Sequence, residues 1–134
     1  MDSVIAKFFE NYSLLPDYDA FRQAQSELML PSVHVDSCDH RGWQSLDGVD
    51  SYVASIRDWM KYYTDSDDRS LEQTRDDGTN VEVRVHGTIV FREPINGVSK
   101  IKDADHNWHE VFVIEGGKIA KARIDMGIKP ATFS

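Results

Sequence analysis

A lone cysteine, Cys38, rules out an internal disulfide, and no Cys/His spacing suits a zinc site. No apolar run is long enough to cross a bilayer. Basic residues are scarce: 15 Lys and Arg stand against 23 Asp and Glu, giving a net charge of −8. No basic stripe gathers the cations. A phosphate backbone wants such a patch, so charge excludes nucleic acid as a partner. The chain has no internal repeat, low-complexity segment or linker. Its opening, Met1-Asp2-Ser3-Val4-Ile5-Ala6-Lys7, is acidic and amphipathic, unlike a secretory leader. These absences point to a cytoplasmic protein that neither enters a membrane nor binds nucleic acid. What is present is ordinary for a globular chain. With 134 residues, 40% hydrophobic and 28% charged, it can bury one core, and residues 1–134 are expected to form a single domain.

The clearest local signal lies at residues 108–126. Two segments rich in β-branched and aromatic residues flank Glu115-Gly116-Gly117-Lys118, a turn sequence suited to a tight hairpin. A period of two places Trp108, Glu110, Phe112 and Ile114 on one face, with His109, Val111 and Val113 opposite. On the second strand Ala120, Ala122, Ile124 and Met126 share the apolar face, and Lys121, Arg123 and Asp125 the polar one. Glu110 therefore sits among large apolar side chains. A buried carboxylate must be paired, hydrogen-bonded or neutralised. Glu110 is either salt-bridged or near water at a strand end, or it is a polar group aimed into a ligand pocket.

The rest of the chain reads in order. Residues 3–15 form a helix, with Ser3 as N-cap and Val4, Ile5, Phe8, Phe9, Tyr12 and Leu15 on its apolar face, ended by Pro16. A second helix runs from an Asp19 cap to about Met29 and is closed by Pro31. Residues 32–36 make a short strand with His34 and Asp36 on one face and Val33 and Val35 on the other. Residues 37–48 read as a polar loop holding Trp43. A helix from about Val49 to Tyr63 follows, whose Val53, Ile56, Trp59, Met60 and Tyr63 read first as core. Residues 64–80 are acidic, without the ligand series or closing Glu of a calcium loop, and are expected to be a solvated loop with a short strand near 70–73. Residues 80–93 alternate as one long strand bent at Gly87. Residues 94–106 are a polar connection with an Asn96-Gly97 turn, and the tail 127–134 is weakly ordered unless Phe133 docks. Helices followed by long antiparallel strands indicate an α+β fold with the helices on one face of a bent sheet.

Several stretches, in this order, resemble the nuclear transport factor 2-like superfamily, and within it the SnoaL-like polyketide cyclases and steroid Δ-isomerases. They are Phe8-Phe9-Glu10-Asn11-Tyr12 with Asp17-Tyr18-Asp19-Ala20-Phe21, then Ser32-Val33-His34-Val35-Asp36, then Leu46-Asp47-Gly48-Val49-Asp50-Ser51-Tyr52, and the hairpin from His109 to Ile119. Val85-His86-Gly87-Thr88-Ile89-Val90-Phe91 is also similar to phenazine-pathway members. The resemblance implies a cone-shaped α+β fold, with N-terminal helices packed on a curved antiparallel sheet around an apolar pocket and with dimerisation through the sheet. The isomerases use a tyrosine on the first helix, an aspartate ending the first strand and an acid on the penultimate strand. These fall on Tyr12, Asp36 and either Glu110 or His109. The third-helix histidine of the phenazine type is absent, since that helix offers Ser55, Arg57 and Asp58.

Each candidate has a chemical and a structural reading. Asp36 with His34 on one strand face could be a base and its orienting partner, or a strand-end cap. Tyr12 could donate to a developing oxyanion, or sit in the core with its hydroxyl tied down. Trp43, Trp59, Val85, Phe91, Trp108, Phe112, Ile124 and Met126 are the candidate apolar wall. His86, His106 and His109 do not bring three ligands to one face, so no metal is expected, and Cys38 has no activating base. Two function classes remain. One is a cofactor-free enzyme that isomerises, cyclises or dehydrates a small hydrophobic carbonyl compound of polyketide, terpenoid or steroid type by acid–base chemistry. The other is a non-catalytic ligand-binding or dimerisation module. Val111 and Val113, opposite the pocket face, call for a second cover and hence a homodimer.

Overall fold

The structure, a computed structural model, describes residues 1–64, 68–102 and 107–128. The acidic stretch 65–67, His106 and the tail with Phe133 fall outside the described residues.

Helix α1 (Ser3–Glu10) is capped by Asp2, one residue ahead of the expected Ser3. The Asp2 carboxylate accepts from the backbone N–H of Val4 at 2.9 Å and of Ile5 at 3.2 Å. A carboxylate at that end also suits the helix dipole. A 3-10 turn (Asn11–Leu14) carries the chain on to Pro16. Helix α2 (Tyr18–Leu28) is capped by Asp17, whose carboxylate accepts from Ala20 N–H at 3.0 Å, not by Asp19. It passes directly into strand β1 (Met29–Asp39).

Pro31 therefore lies inside a strand and does not close the helix. The pairing of β1 with β9 shifts between Met29 and His34, and Pro31 falls in that gap, where no ladder donor is required. The strand also runs three residues beyond the expected 32–36. The stretch expected as a loop is the end of β1, a tight turn and strand β2 (Gly42–Asp47), which pairs antiparallel with β1 from His34–Asp47 to Asp39–Gly42. Helix α3 (Gly48–Trp59) stops before Tyr63, which belongs to the short strand β3 (Tyr63–Thr64). Strand β4 (Ser70–Asp76) extends the short strand expected there.

The long strand expected over 80–93 is two strands in different sheets, β5 (Asn80–His86) and β6 (Ile89–Ile95). Gly87, at φ +139°, breaks it. Asn96 and Gly97 turn β6 back into β7 (Val98–Ile101), a strand within the expected polar connection. β8 (His109–Glu115) and β9 (Lys118–Asp125) form the expected hairpin. Val113 pairs with Lys121 and Ile114 with Ile119, so Ala120 is an extra, bulged residue. Ile119 thus takes the core side near the turn, and Ala120 is only half-buried.

Among the described residues the strands form a six-stranded sheet, β2–β1–β9–β8–β5–β4, and a three-stranded one, β3–β6–β7. The expected α+β layering holds, with one correction: β1 runs parallel to β9, so the large sheet is mixed. Ile5 and Phe8 of α1, Phe21 of α2 and Tyr52 and Val53 of α3 pack on Val33, Val35, Val83 and Phe112 of the sheet. A second cluster gathers Tyr63, Val85, Ile89, Phe91, Trp108 and Met126, and Phe9 and Leu71 pack against both. The site lies where the two clusters meet.

Candidate functional site

A cavity of about 410 Å³ opens between α1, α3 and the concave side of the large sheet. Tyr12, Glu110, Trp59, Val85, Trp108, Ile124 and Met126 line it, as the strand periods and the resemblance led one to expect. Tyr52, Arg69, Ser37 and Asp39 line it as well and were not expected.

Glu110 is the polar centre of the cavity. It is 3% exposed, on the inward face of β8. The Trp108 indole N–H, two residues earlier on the same face, donates to Glu110 Oε2 at 3.0 Å. Glu110 Oε1 is buried with no hydrogen-bond partner. Burial penalises the anion and pushes the carboxyl up to about 7, against the opposing pull of the Trp108 hydrogen bond and the Arg69 charge. Near neutral pH the group is therefore divided between acid and base.

Tyr12 comes from the 3-10 turn after α1, and its hydroxyl lies 2.5 Å from that of Tyr52 on α3. A chain of hydrogen bonds leads to this pair from Gln25. The Phe8 carbonyl can only accept, so it takes the Gln25 amide N–H at 3.2 Å. The same Gln25 nitrogen donates to the Tyr52 hydroxyl at 3.1 Å, while the Gln25 carbonyl oxygen accepts from Asn11 Nδ2 at 2.9 Å. Tyr52 thus accepts from Gln25 and is bonded to Tyr12. Either hydroxyl can donate in the short bond between them, and together they present one phenolic pair at the cavity. Burial first, then the Tyr52 and Glu110 charges, raise the Tyr12 hydroxyl well above its ordinary range, so it stays a donor. Burial raises Tyr52 likewise.

Asp36 and His34 lie on the other side of β1, since only alternate residues of a strand share a face. The His34 ring meets Asp47 at 2.8 Å through Nδ1 and Asp36 at 3.0 Å through Nε2, and Ser45 donates to Asp36 at 2.7 Å. Hydrogen bonds to Asp47 and then Asp36 raise His34, and those from Ser45 and His34 lower Asp36. The pair exists as expected but does not reach the cavity. The inward set of β1 is Val33, Val35, Ser37 and Asp39, so the strand-end acid at the cavity is Asp39, 4% exposed. Its oxygens are engaged by Arg41, whose NH2 donates at 2.6 Å and backbone N–H at 2.8 Å.

Three other expectations change. His109 faces away from the cavity, with Nδ1 donating to the Asn107 carbonyl at 3.3 Å, so Glu110 is the residue at the acid position. Trp43 is 50% exposed on the outer face, under the Arg123 guanidinium at 4.4 Å. Phe91 and Phe112 are buried behind the cavity wall and do not line it.

Arg69 had no sequence signal, being isolated between an acidic loop and β4. Its place is set by Asp68 and Gly87. The Asp68 carboxylate accepts from Thr88 N–H at 3.0 Å and Thr88 Oγ1–H at 2.6 Å. A Cβ on Gly87 would stand 3.0 Å from Arg69 Cα, so the glycine admits the passing backbone. The guanidinium then lies 4.9 Å from the centre of the Trp108 ring.

No protein-family model matches the chain, and no curated protein matches it. Solved structures do. A nuclear transport factor 2-like protein of unknown function from Burkholderia pseudomallei shares 12% identity at a TM-score of 0.70, covering 96% of this chain and 89% of its own. A candidate polyketide cyclase from Sinorhizobium meliloti shares 19% at 0.62, covering 92% and 94%. A candidate SnoaL-like polyketide cyclase from Mesorhizobium loti shares 12% at 0.60, covering 90% and 97%. At these identities the likeness establishes the architecture, and the chain has the nuclear transport factor 2-like fold.

Proposed function

We propose that the cavity is the active site of a cofactor-free enzyme that moves a proton next to a carbonyl group of a small hydrophobic compound, so as to isomerise, cyclise or dehydrate it. The observation that carries this is the buried, half-bonded carboxyl of Glu110 in the same cavity as the hydroxyl of Tyr12. Ionised Glu110 takes the proton from the carbon beside the carbonyl, and the electron pair moves to the carbonyl oxygen as an enolate. The Tyr12 hydroxyl donates to that oxygen. The Glu110 acid then returns the proton at a second position, or the enolate carbon attacks a second carbonyl carbon in the same molecule, whose π pair moves to its oxygen and takes up the Glu110 proton. A base whose pKa lies near the working pH suits this task. Asp36 has no part in this scheme, and Asp39 is held by Arg41. The fold is shared with proteins described as candidate polyketide cyclases, whose name fits the same class of substrate.

The test does not need the natural substrate. Incubating the protein with 2-tetralone in deuterium oxide and following the α-protons by NMR reads proton abstraction directly. The wild type should accelerate exchange over buffer, and Glu110→Gln and Tyr12→Phe should each lose about a hundredfold of that rate. Wild-type exchange no faster than buffer would contradict the catalytic reading and leave a binding pocket.

A further inference from the structure

We propose that the ligand of this cavity carries an anionic group, a carboxylate or a comparably acidic enol, and that Arg69 is the residue that receives it. This rests on the reading of the cavity as a site for a small carbonyl compound and adds the charge of that compound.

Among the described residues, four charged side chains line the cavity, Glu10, Asp39, Arg69 and Glu110. Glu10 is exposed at its edge, and Asp39 is neutralised by Arg41. Arg69 is different. Among the described residues it makes no hydrogen bond and no ion pair, with Glu110 or with any other carboxylate. Its one close partner is the face of Trp108, which attracts the cation but takes none of its N–H donors. A guanidinium presents its donors as a planar fork that fits a carboxylate with two parallel bonds. An acidic protein that places an unpaired cation inside its apolar cavity has the counter-charge still to supply.

The clamp on Arg69 supports the same reading. Asp68 ties its own segment to Thr88 through both the backbone and the side chain, and Gly87 makes room for that segment to pass. Arg69 is thus held at the cavity by fixed backbone. Glu110, whose Oε1 is buried and has no hydrogen-bond partner among the described residues, lines the same cavity. A neutral apolar ligand would strip water from the guanidinium and leave its donors unsatisfied, which is costly. In a ligand with an anionic end and a neighbouring carbonyl, the anion lies on Arg69, and the carbonyl oxygen accepts from Tyr12 with the adjacent carbon at Glu110. An anchored end also fixes which carbon faces Glu110, and so which proton moves.

Isothermal titration calorimetry with a matched pair tests this. 2-Naphthoate and 2-naphthamide have the same rings and differ in the charge of one group. The wild type should bind the carboxylate at least about tenfold more tightly than the amide. Arg69→Met should abolish that preference while amide binding persists, and Arg69→Lys, which keeps the charge and loses the fork, should retain part of it. Equal affinity of the wild type for the two compounds would overturn the proposal while leaving the cavity as a carbonyl site. A preference retained in Arg69→Met would overturn the assignment to Arg69. Failure of both compounds to bind at millimolar concentration would overturn the proposal together with the apolar-ligand reading beneath it.

Discussion

Trp108 and Glu110, two residues apart on one strand face, are joined by a single hydrogen bond of 3.0 Å from the indole to Oε2, and the other carboxyl oxygen is buried with no partner among the described residues. One donor is too few to stabilise a buried carboxylate fully, so desolvation prevails and the acid titrates near neutrality.

This makes Glu110 a cost to stability at neutral pH. Below about pH 4.5 both folded and unfolded chains hold the proton and the group is silent. Between about 4.5 and about 7 the unfolded chain releases it while the folded chain keeps it, so stability falls as pH rises. Above about 7 the loss is complete and amounts to at most about 3 kcal/mol. Glu110→Gln removes the titration. Urea unfolding should show the variant gaining on the wild type by about 1–3 kcal/mol between pH 5 and pH 8, with the gap closing in acid.

Tyr52 links Gln25 to Tyr12 by hydrogen bonds. Tyr52→Phe removes the hydroxyl bonded to Tyr12 and one of the two acceptors of the Gln25 amide. The expected cost is about 1–2 kcal/mol in urea unfolding at constant slope. An unchanged midpoint would mean that the two hydroxyls are not coupled as drawn.

The His34 cluster titrates apart from the cavity. Both ring nitrogens face carboxylates, so both must carry protons for the two bonds to form together, and the ring is raised above 6.5. Any stability it adds is present below the unfolded value and lost as pH rises through the folded one. NMR titration should find His34 lowered in Asp47→Asn and in Asp36→Asn. Deuterium exchange of 2-tetralone should be unchanged in Asp36→Asn, because Asp36 does not line the cavity.

The outer sheet face is proposed as a homodimer surface. Val111 and Val113 are half-buried on it, beside the polar set Lys121 and Arg123 and the exposed Trp43. Light scattering at micromolar concentration should give twice the chain mass, and Val111→Lys should shift it toward the monomer. A monomer mass for the wild type counts against this surface.

The site was legible where strand period alone decided it. Glu110 could be placed among Trp108, Ile124 and Met126 because alternate residues of a strand must share a face. The same rule applied to β1 misplaced the strand-end acid, because Pro31 suggested a later start and the chain through Asp39 was assigned to a loop. A strand extended by three residues continues the Val33–Val35 face to Ser37 and Asp39 and leaves Asp36 outside. Trp43 alternates with Gln44 and Leu46, a signal obscured by the flanking glycines and polar residues. The β1–β9 pairing joins segments more than eighty residues apart and is parallel, which no local pattern announces. Arg69 has no periodic neighbours; only its clamp to Gly87 and Thr88, visible in three dimensions, brings it to the cavity.

The most direct measurement is the titration of Glu110 itself. With glutamate labelled at the side-chain carboxyl carbon, NMR assigned through Glu110→Gln can follow its protonation in the free protein. The expected midpoint lies near pH 7, well above an ordinary glutamate at about 4.3. A midpoint below about 5 would show a solvated or paired carboxylate, and would contradict a buried acid–base group at the centre of the cavity.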